Sequence, residues 1–530
     1  MVPIWSPMVA ARYGRWEQAM KIVFIGVKPN SPHFETQLEL MLEHAAKGDE
    51  LVYFHCDRAI PYCDSNPNND QVFCHACVVK RRRGLEIIQF SGKIIPFSAL
   101  FSAEHHPRRM PLPMLAGITD ISEMKPLMFD TYDYGESVMS SVYSMLKTCY
   151  PRMQQAEPLM RHATSTTLAL YVATRRLLQQ ERPGLAYFFN GRSATSRCFL
   201  RACQAEEVPF MVHERGSRIE SYSLWPNTIP HNMEWRSQEV IRLWERNPNE
   251  AEKRAIAAEY FKNLRKGKRP SNFKNYLVHQ QANTLPVGWL ENERRITLFT
   301  STETELHAVE NLGFRRLYPN LPDAMNRIVE GLQQAGFKGK LAIRMHPNSQ
   351  DEAPEILARF RHAQHPMVLM IYPHEKVDSY ELVQTSEKVV VFNSTIGIES
   401  VRMGRPIVTL NSCTYCALGV TNQPRSHAEA IQMIMADLPV PDASKADYFG
   451  YFMSRFGYDF KYVVFKGQGK KVGRSSGKCS VLGKKLRSPW WMDQIMKLKK
   501  KYPRLEKIMQ SVLYPRLANE YSRYRPDGVA

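Results

Sequence analysis

No apolar run in this sequence approaches the roughly 18–20 residues that a membrane-spanning helix needs, so an integral membrane protein is not expected. The first twenty residues, ending Gln18-Ala19-Met20, have no long apolar stretch and no small-residue cleavage site, which argues against a secretory leader. The first apolar strand, Lys21–Gly26, is not followed by the GxGxxG pattern, so the dinucleotide fingerprint is missing. No internal repeat or extended low-complexity segment points to a solenoid or a disordered chain. Acidic residues are in deficit, 52 against 71 basic ones, yet no recognisable nucleic-acid module accompanies the excess charge. That charge is also unevenly placed. Residues 461–530 hold 18 Lys and Arg against 4 Asp and Glu, a net of +14 out of +19, so the remaining chain is near neutral.

What is present suits a globular protein. Hydrophobic residues are 44% and charged residues 23% of the chain, and 530 residues exceed one ordinary core. Lys21–Gly26 and Leu51–His55 read as strands flanking a helix over 34–46, where Leu38, Leu40, Met41, Leu42 and Ala45 fall with helical spacing. A less regular stretch with cysteines and prolines runs to about residue 115. Alternation resumes with a helix near 164–180, a strand at Leu185–Asn190, a helix near 193–206 and a strand at Phe210–His213. Residues 230–285 read as helical and then linker-like, with a break at Lys266–Pro270. Strands follow at Ile296–Thr300, Leu341–Met345, Val368–Ile371, Val389–Phe392 and Ile407–Leu410, with helices such as Asp323–Ala335 between them. Such alternation predicts two Rossmann-like α/β domains. The expected division is an extension at 1–20, a first domain at 21–285 with a cysteine-rich insertion, expected to take the acceptor, a second at 286–450, expected to take a nucleotide donor, and a basic crossover or tail at 451–530.

Three polar clusters fall where strands of the second half end: Phe299–Glu303, Arg344–Pro347 and Phe392–Glu399. Ligands of open α/β sheets bind outside these carboxyl ends. Ser394 and Thr395 suit the start of a helix, whose amides and dipole attract phosphate, and Arg344 and His346 add donors or charge for the same anion. Asn393, Ser301 and Glu303 belong to the same candidate donor site, and Glu399 is placed to hold a ribose hydroxyl or a backbone group. The competing reading for each cluster is a helix cap or a turn. In the first half, Asn190-Gly191-Arg192 and His213–Gly216 end successive strands.

Cys56, Cys63, Cys74 and Cys77 form a C-x6-C-x10-C-x2-C series beside His55 and His75. Four thiolates can enclose zinc tetrahedrally; reduced thiols packed near one another are the other reading. Cys413 and Cys416 lack a partner pair and read as core. In the tail, Trp490 and Trp491 precede the lysine-rich run Lys497–Lys501. Indoles beside clustered lysines suit an anionic membrane surface, and a helix packed back across the first domain is the alternative.

The segment VVVFNSTIGIESVRMGRPIVTLNSCTYC, within 380–416, resembles the signature of bacterial capsule polysaccharide biosynthesis proteins. The resemblance extends through IRMHP, FTSTETE, the 188–216 stretch FFNGRSATSRCFLRACQAEEVPFMVHERG and the cysteine region at 53–77. It implies a GT-B glycosyltransferase of surface polysaccharide assembly, of the kind that includes capsular Kdo transferases. On that resemblance His346 and Pro347 match a nucleotide-binding His-Pro, and Ser394 and Thr395 match a hydroxyl pair. Glu214 resembles the acidic residue of the sialyltransferase acidic-Gly motif and is the candidate base. Asn190, Arg192 and Arg215 are candidates for positioning acceptor or donor. The implied reaction is metal-independent, inverting transfer from a nucleotide-sugar donor such as CMP-Kdo to a glycan or glycolipid. Nucleic acid is not an expected partner. The expected location is cytoplasmic, with peripheral attachment to the inner face of the cytoplasmic membrane as an option. Two other readings stay open: a teichoic-acid-type transferase of CDP-polyol phosphate, and a non-catalytic export scaffold with the same fold.

Overall fold

Strands form where the short apolar runs of the N-terminal half stand, because each run is buried on both faces. A computed structural model of the chain describes residues 19–268, 280–309, 312–465 and 479–486. The first unit takes the chain up to Val138, Glu157–Arg215 and the part from Asp459 onward. Its strands are β1 (Lys21–Gly26), β2 (Glu50–His55), β3 (Lys93–Pro96), β4 (Leu185–Phe189) and β5 (Phe210–Arg215). They lie in the order β5-β4-β1-β2-β3, all parallel. The order reverses between β1 and β4, which makes that junction the topological switch point. Phe24 of β1 stacks on Tyr187 of β4 with ring centroids 5.0 Å apart.

Helix α1 (His33–Ala45) covers this sheet, and α2 (Ala194–Ala205) follows β4. Unusually, α1 buries Glu35, Glu39 and Glu43, one per turn. Lys80 pairs with Glu35 at 3.1 Å, Lys461 Nζ pairs with Glu43 at 2.6 Å, and the Tyr462 amide donates to Glu39 at 2.9 Å. The returning segment thus folds onto α1 through strands at Val463–Phe465 and Cys479–Val481. This is the packing alternative for the start of the basic tail. Its Trp490, Trp491 and Lys497–Lys501 lie outside the described residues, as does residue 1–18 of the N-terminal extension.

The second unit comprises Met139–Ala156 and Gly216–Tyr458. It opens with β6 (Ser221–Pro226), α3 (Met233–Arg246) and α4 (Glu250–Arg265). Its main sheet contains β7 (Arg294–Phe299), β8 (Gly339–Arg344), β9 (Val368–Ile371), β10 (Lys388–Val391) and β11 (Ile407–Thr409). The order is β11-β10-β7-β8-β9, again parallel, with its switch point between β7 and β10. The pleat divides the strands cleanly. Ile296, Leu298, Leu341, Ile343, Val390 and Val408 enter one core with α5 (Leu321–Gln334). Phe299, Ala342, Val389, Val391 and Ile407 enter the other, with α6 (Ile396–Arg402), α4 and α7 (Ala446–Arg455). Burial on both faces explains why these strands read as continuous apolar runs.

The expected boundary at 285 differs from the observed one at 215/216. Tyr260, Phe261 and Leu264 of α4 share a core with Phe449 and Phe452 of α7, and Trp244 stacks on Tyr448 at 4.2 Å. Those aromatic contacts place α3 and α4 with the second unit. Helices at Tyr134–Leu146 and Met153–Glu181 carry the chain from one unit to the other. No helix among the described residues is long and apolar enough to cross a membrane.

Candidate functional site

The three polar clusters of the second half follow β7, β8 and β10, which are neighbours in the sheet. Their convergence is therefore a consequence of strand order. Arg344, His346, Pro347, Ser394, Thr395 and Glu399 line one recess. The recess stands at the carboxyl ends of the strands, at the switch point. Ser301 after β7 donates to Asn393 after β10, tying the two loops across that junction.

Each side chain is held by identifiable bonds. The His346 amide donates to Thr300 Oγ1 at 2.9 Å, and its Nδ1 accepts from the Asn348 amide at 3.1 Å. An accepting Nδ1 places the proton of the neutral ring on Nε2, so that nitrogen is the donor. Arg344 is 3% exposed, with Nη1 on the Tyr372 carbonyl at 2.9 Å and Nη2 on the Glu375 carbonyl at 3.1 Å. Burial lowers its pKa to about 10, against the raising influence of Glu375, so it stays cationic at neutral pH. Two of its donors are thus committed to backbone, while Nε has no partner among the described residues. Its contribution to an anion is a fixed positive field more than a full fork of hydrogen bonds. Glu399 accepts from the Tyr380 hydroxyl. Thr395 occupies the N-cap of α6 without a side-chain capping bond, so the expected hydroxyl cap is not made there. Ser394 offers its carbonyl to the Tyr415 hydroxyl at 2.6 Å.

Glu303 is placed elsewhere. Its carboxylate accepts from the Leu321 amide and bonds His307 Nε2, each at 2.9 Å, and it is 1% exposed. It anchors the start of α5 and does not line the recess. Sequence reasoning missed Gln280, Ser379 and Tyr380, which do line it. The signal existed: Asp378 caps the helix Ser379–Thr385 by accepting from the Tyr380 amide at 2.9 Å. This cap stands seven residues beyond the end of β9 and so does not read as a strand-end cluster.

In the first unit, Glu214 near the end of β5 accepts from Asn190 Nδ2 and from the Arg215 amide, both at 2.9 Å. His33 Nε2 lies 3.5 Å from its Oε1. Asn190 and Gly191 have φ of 62° and 77°, a left-handed turn that Asn and Gly tolerate. The turn and the contact to Glu214 therefore coexist in Asn190. Arg192 follows half-buried, and Arg215 acts on His33 through its charge.

The four cysteines of the insertion are free thiols. Burial pushes Cys56 up to about 12 and raises Cys63, Cys74 and Cys77, while Arg81 opposes it at Cys56 and Cys77. Asn66 Nδ2 contacts Cys74 Sγ at 3.2 Å. Among the described residues no group of three or more His, Cys, Asp or Glu is gathered as metal ligands. The donor chemistry of four cysteines suits zinc. Cys413, 1% exposed, and half-buried Cys416 lie with sulfurs 2.9 Å apart.

A family model described as capsule polysaccharide biosynthesis protein matches residues 318–452. That stretch contains Arg344, His346, Ser394, Thr395 and Glu399 and none of the first unit. No curated protein matches the chain. Among solved structures, the beta Kdo 2,4 transferase KpsC of Thermosulfurimonas dismutans is 14% identical with a TM-score of 0.34, covering 51% of this chain and 79% of its own. The beta Kdo 2,7 transferase of the same protein is also 14% identical, with a TM-score of 0.31, 53% of this chain and 79% of that one. UDP-GlcNAc 2-epimerase of Methanocaldococcus jannaschii, in complex with UDP-GlcNAc and UDP, is 11% identical with a TM-score of 0.26, covering 81% and 98%. With TM-scores this low, these likenesses add nothing to the reading of the site.

Proposed function

We propose that this chain is a glycosyltransferase of capsular or other surface polysaccharide biosynthesis, with a nucleotide sugar bound in the second unit. The observation that carries the reading is the meeting of Arg344, His346, Ser394 and Thr395 at one switch-point recess, inside the segment that matches the capsule polysaccharide family model. The donor in this reading is a CMP-linked acid sugar of the Kdo type, an assignment supported by the His-Pro and hydroxyl-pair resemblance.

Transfer forms a bond between an acceptor oxygen and the anomeric carbon as the bond to phosphate oxygen breaks. The acceptor proton goes to a base, and Glu214 is our assignment. The departing phosphate gains negative charge, which the field of Arg344 and a donor at His346 Nε2 would stabilise. Direct attack inverts the anomeric centre, and none of these steps calls on a metal. A zinc ion on Cys56, Cys63, Cys74 and Cys77 is a separate, structural proposal, checked by elemental analysis of reduced, unchelated protein. The reading also includes an anionic membrane surface as partner of residues 487–530 and a cytoplasmic location.

Calorimetry with CMP, CDP, UDP and GDP tests the donor site. His346→Ala and Ser394→Ala should each weaken cytidine-nucleotide binding by about tenfold or more, the worth of one hydrogen bond to a charged group. Unchanged binding in both variants would remove the site, and a strong preference for UDP would remove the cytidine assignment. Product analysis then separates a glycosidic linkage from the phosphodiester of a CDP-polyol transferase; nucleotide binding without turnover would indicate the scaffold.

A further inference from the structure

Cys413 and Cys416 stand on the loop after β11, and the proposed transfer uses neither. The Cys416 amide donates to the Cys413 carbonyl at 3.2 Å, an i to i+3 turn that keeps the two Cα atoms within about 7 Å. The thiols face each other with sulfurs 2.9 Å apart, and the Cys413 amide donates to Cys416 Sγ at 3.2 Å. A disulfide needs sulfurs at about 2.05 Å and Cα atoms about 4.4–6.8 Å apart, so closure asks for about 1 Å of movement and no refolding. Both flanks of the turn are pinned. Ser412 and Arg315 exchange two bonds, at 2.9 and 3.0 Å, and Gln423 Nε2 holds the Cys416 carbonyl at 3.0 Å.

The two sulfurs are unequal. Cys413 is 1% exposed, whereas Cys416 keeps part of its surface open. A hydrogen bond from the Cys413 thiol lowers the Cys416 pKa against the cost of burial, helped by the Cys413 amide and the charge of Arg315. Burial raises Cys413 instead, and it raises Cys56, Cys63, Cys198 and Cys203 as well. The thiolate is the nucleophilic form of the side chain. Cys416 is thus the attacking sulfur, with Cys413 behind it as the resolving one.

Tyr415, inside the turn, links the pair to the recess. Its hydroxyl donates to the Ser394 carbonyl at 2.6 Å, and the Gly397 amide donates to the same oxygen at 3.1 Å. The hydroxyl has no slack, since a Cβ on Gly397 would meet it at 2.3 Å. With both flanks of the turn pinned, the movement that joins the sulfurs falls on Thr414 and Tyr415. A shift of that size at Tyr415 is enough to break a bond of 2.6 Å, because hydrogen bonds weaken steeply beyond their usual length.

We propose that Cys413 and Cys416 are a redox-active dithiol, closed by a low-molecular-weight disulfide, and that closure frees the Ser394 loop of the recess. The Cys416 thiolate attacks one sulfur of the small disulfide, breaking its S–S bond and releasing a thiolate that takes a proton from solvent. Cys413 Sγ then attacks Cys416 Sγ in the mixed disulfide, and its proton goes to the second thiolate that leaves. The protein gives up two electrons and two protons, and the small disulfide becomes two thiols. The effect on nucleotide binding rests on the reading of the recess given above; the thiol chemistry and the loop movement do not.

The test treats the full chain, reduced with dithiothreitol and desalted, with oxidised glutathione, then alkylates it and maps the peptides by mass spectrometry. The peptide carrying both cysteines should resist alkylation, lose two hydrogens and recover with dithiothreitol. Cys413→Ser should instead trap glutathione on Cys416, and Cys416→Ser should leave Cys413 unmodified. Hydrogen exchange of residues 394–399 should quicken about tenfold on oxidation of wild type and stay unchanged in Cys416→Ser. Cys416→Ala stands in if the serine variant fails to fold. Full alkylation of both cysteines after the oxidant, a mixed disulfide that persists in wild type, or closure with unchanged exchange at 394–399 would each overturn the proposal. Calorimetry with CMP separates the two readings, and the oxidised chain should bind about tenfold more weakly than the reduced one. Faster exchange with no CMP binding, or with unchanged CMP affinity, sinks the nucleotide site and spares the dithiol; CMP binding without closure sinks the dithiol alone.

Discussion

His44 and His213 are both buried in the first unit, but only His44 has its ring accounted for: Nδ1 meets Asp49 at 2.6 Å and Nε2 meets Tyr187 at 3.0 Å. That contrast makes His213 a testable group in acid. Burial lowers His213 and His33 to about 3, helped in His33 by the charges of Arg215 and Lys80. An unfolded histidine titrates near 6.5. Between these values the unfolded chain holds more protons than the folded one, so stability falls as pH drops from about 6.5 towards 3 and is unaffected by these groups above that window. Each histidine contributes a slope of about 1.4 kcal/mol per pH unit there. Urea midpoints at pH 7 and pH 5 should show wild type losing stability and His213→Phe losing less; equal losses would mean that His213 is not held neutral. Glu214 belongs to the same scale. Glu214→Gln keeps the shape that Asn190 and the Arg215 amide bond to but removes the base, so turnover should fall by about 10²–10⁴-fold with cytidine-nucleotide affinity unchanged. Wild-type turnover would move the search for the base elsewhere, and Glu303, committed to Leu321 and His307, is not the substitute.

At the scale of elements, the doubly covered strands were the legible part. Lys21–Gly26 and Val368–Ile371 form with the bounds expected, and the other second-half strands start or stop within two residues of theirs, because β-branched apolar runs between polar turns leave few alternatives. The helix Gln71–Ile87 was not legible, since its buried side carries His75, Lys80 and Arg81, and no apolar stripe marks it. The helix Met153–Glu181 was read only from about 164, since Pro158 lies inside its early turns. In the recess, strand ends pointed to Arg344, His346 and Ser394, but the loop contacts that hold them were invisible. Tyr415, at 1% exposure, is one: it bonds the Ser394 carbonyl, and a Cβ on Gly397 would stand 2.3 Å from its hydroxyl. Gly397→Ala should therefore displace Tyr415 and loosen the Ser394 loop, weakening nucleotide binding about tenfold while the cores stay folded. Adding Tyr415→Phe removes the clashing oxygen and should make the second substitution far less harmful than it is alone. Strictly additive losses in calorimetry would show that Gly397 and Tyr415 act independently.

At the scale of the whole molecule, charge is divided between a near-neutral body and a basic end, and part of that end already has a use. Lys461 is paired with Glu43, and the segment to Val481 builds strands against α1. Residues 487–530 carry ten further Lys and Arg against four Asp and Glu, including Lys497–Lys501 beside Trp490 and Trp491. Each basic residue near an anionic bilayer is worth about 1 kcal/mol, and that attraction fades beyond a Debye length of about 8 Å at physiological salt. A chain truncated after Leu486 keeps the strands on α1, so its fold and its cytidine-nucleotide affinity should match those of the full chain. Its binding to phosphatidylglycerol-containing vesicles should be lost or greatly reduced, and the full chain should be released by about 0.5 M salt if charge dominates, since screening then acts within a few ångströms. The tryptophans make a second arm: Trp490→Ala with Trp491→Ala should leave salt-sensitive binding weaker but present, because indoles add interfacial contact and the lysines supply the long-range attraction. Co-sedimentation of the three proteins with anionic and with neutral vesicles decides the matter. Equal binding by the truncated and full chains, or equal binding to both kinds of vesicle, would leave the tail no electrostatic part in membrane attachment.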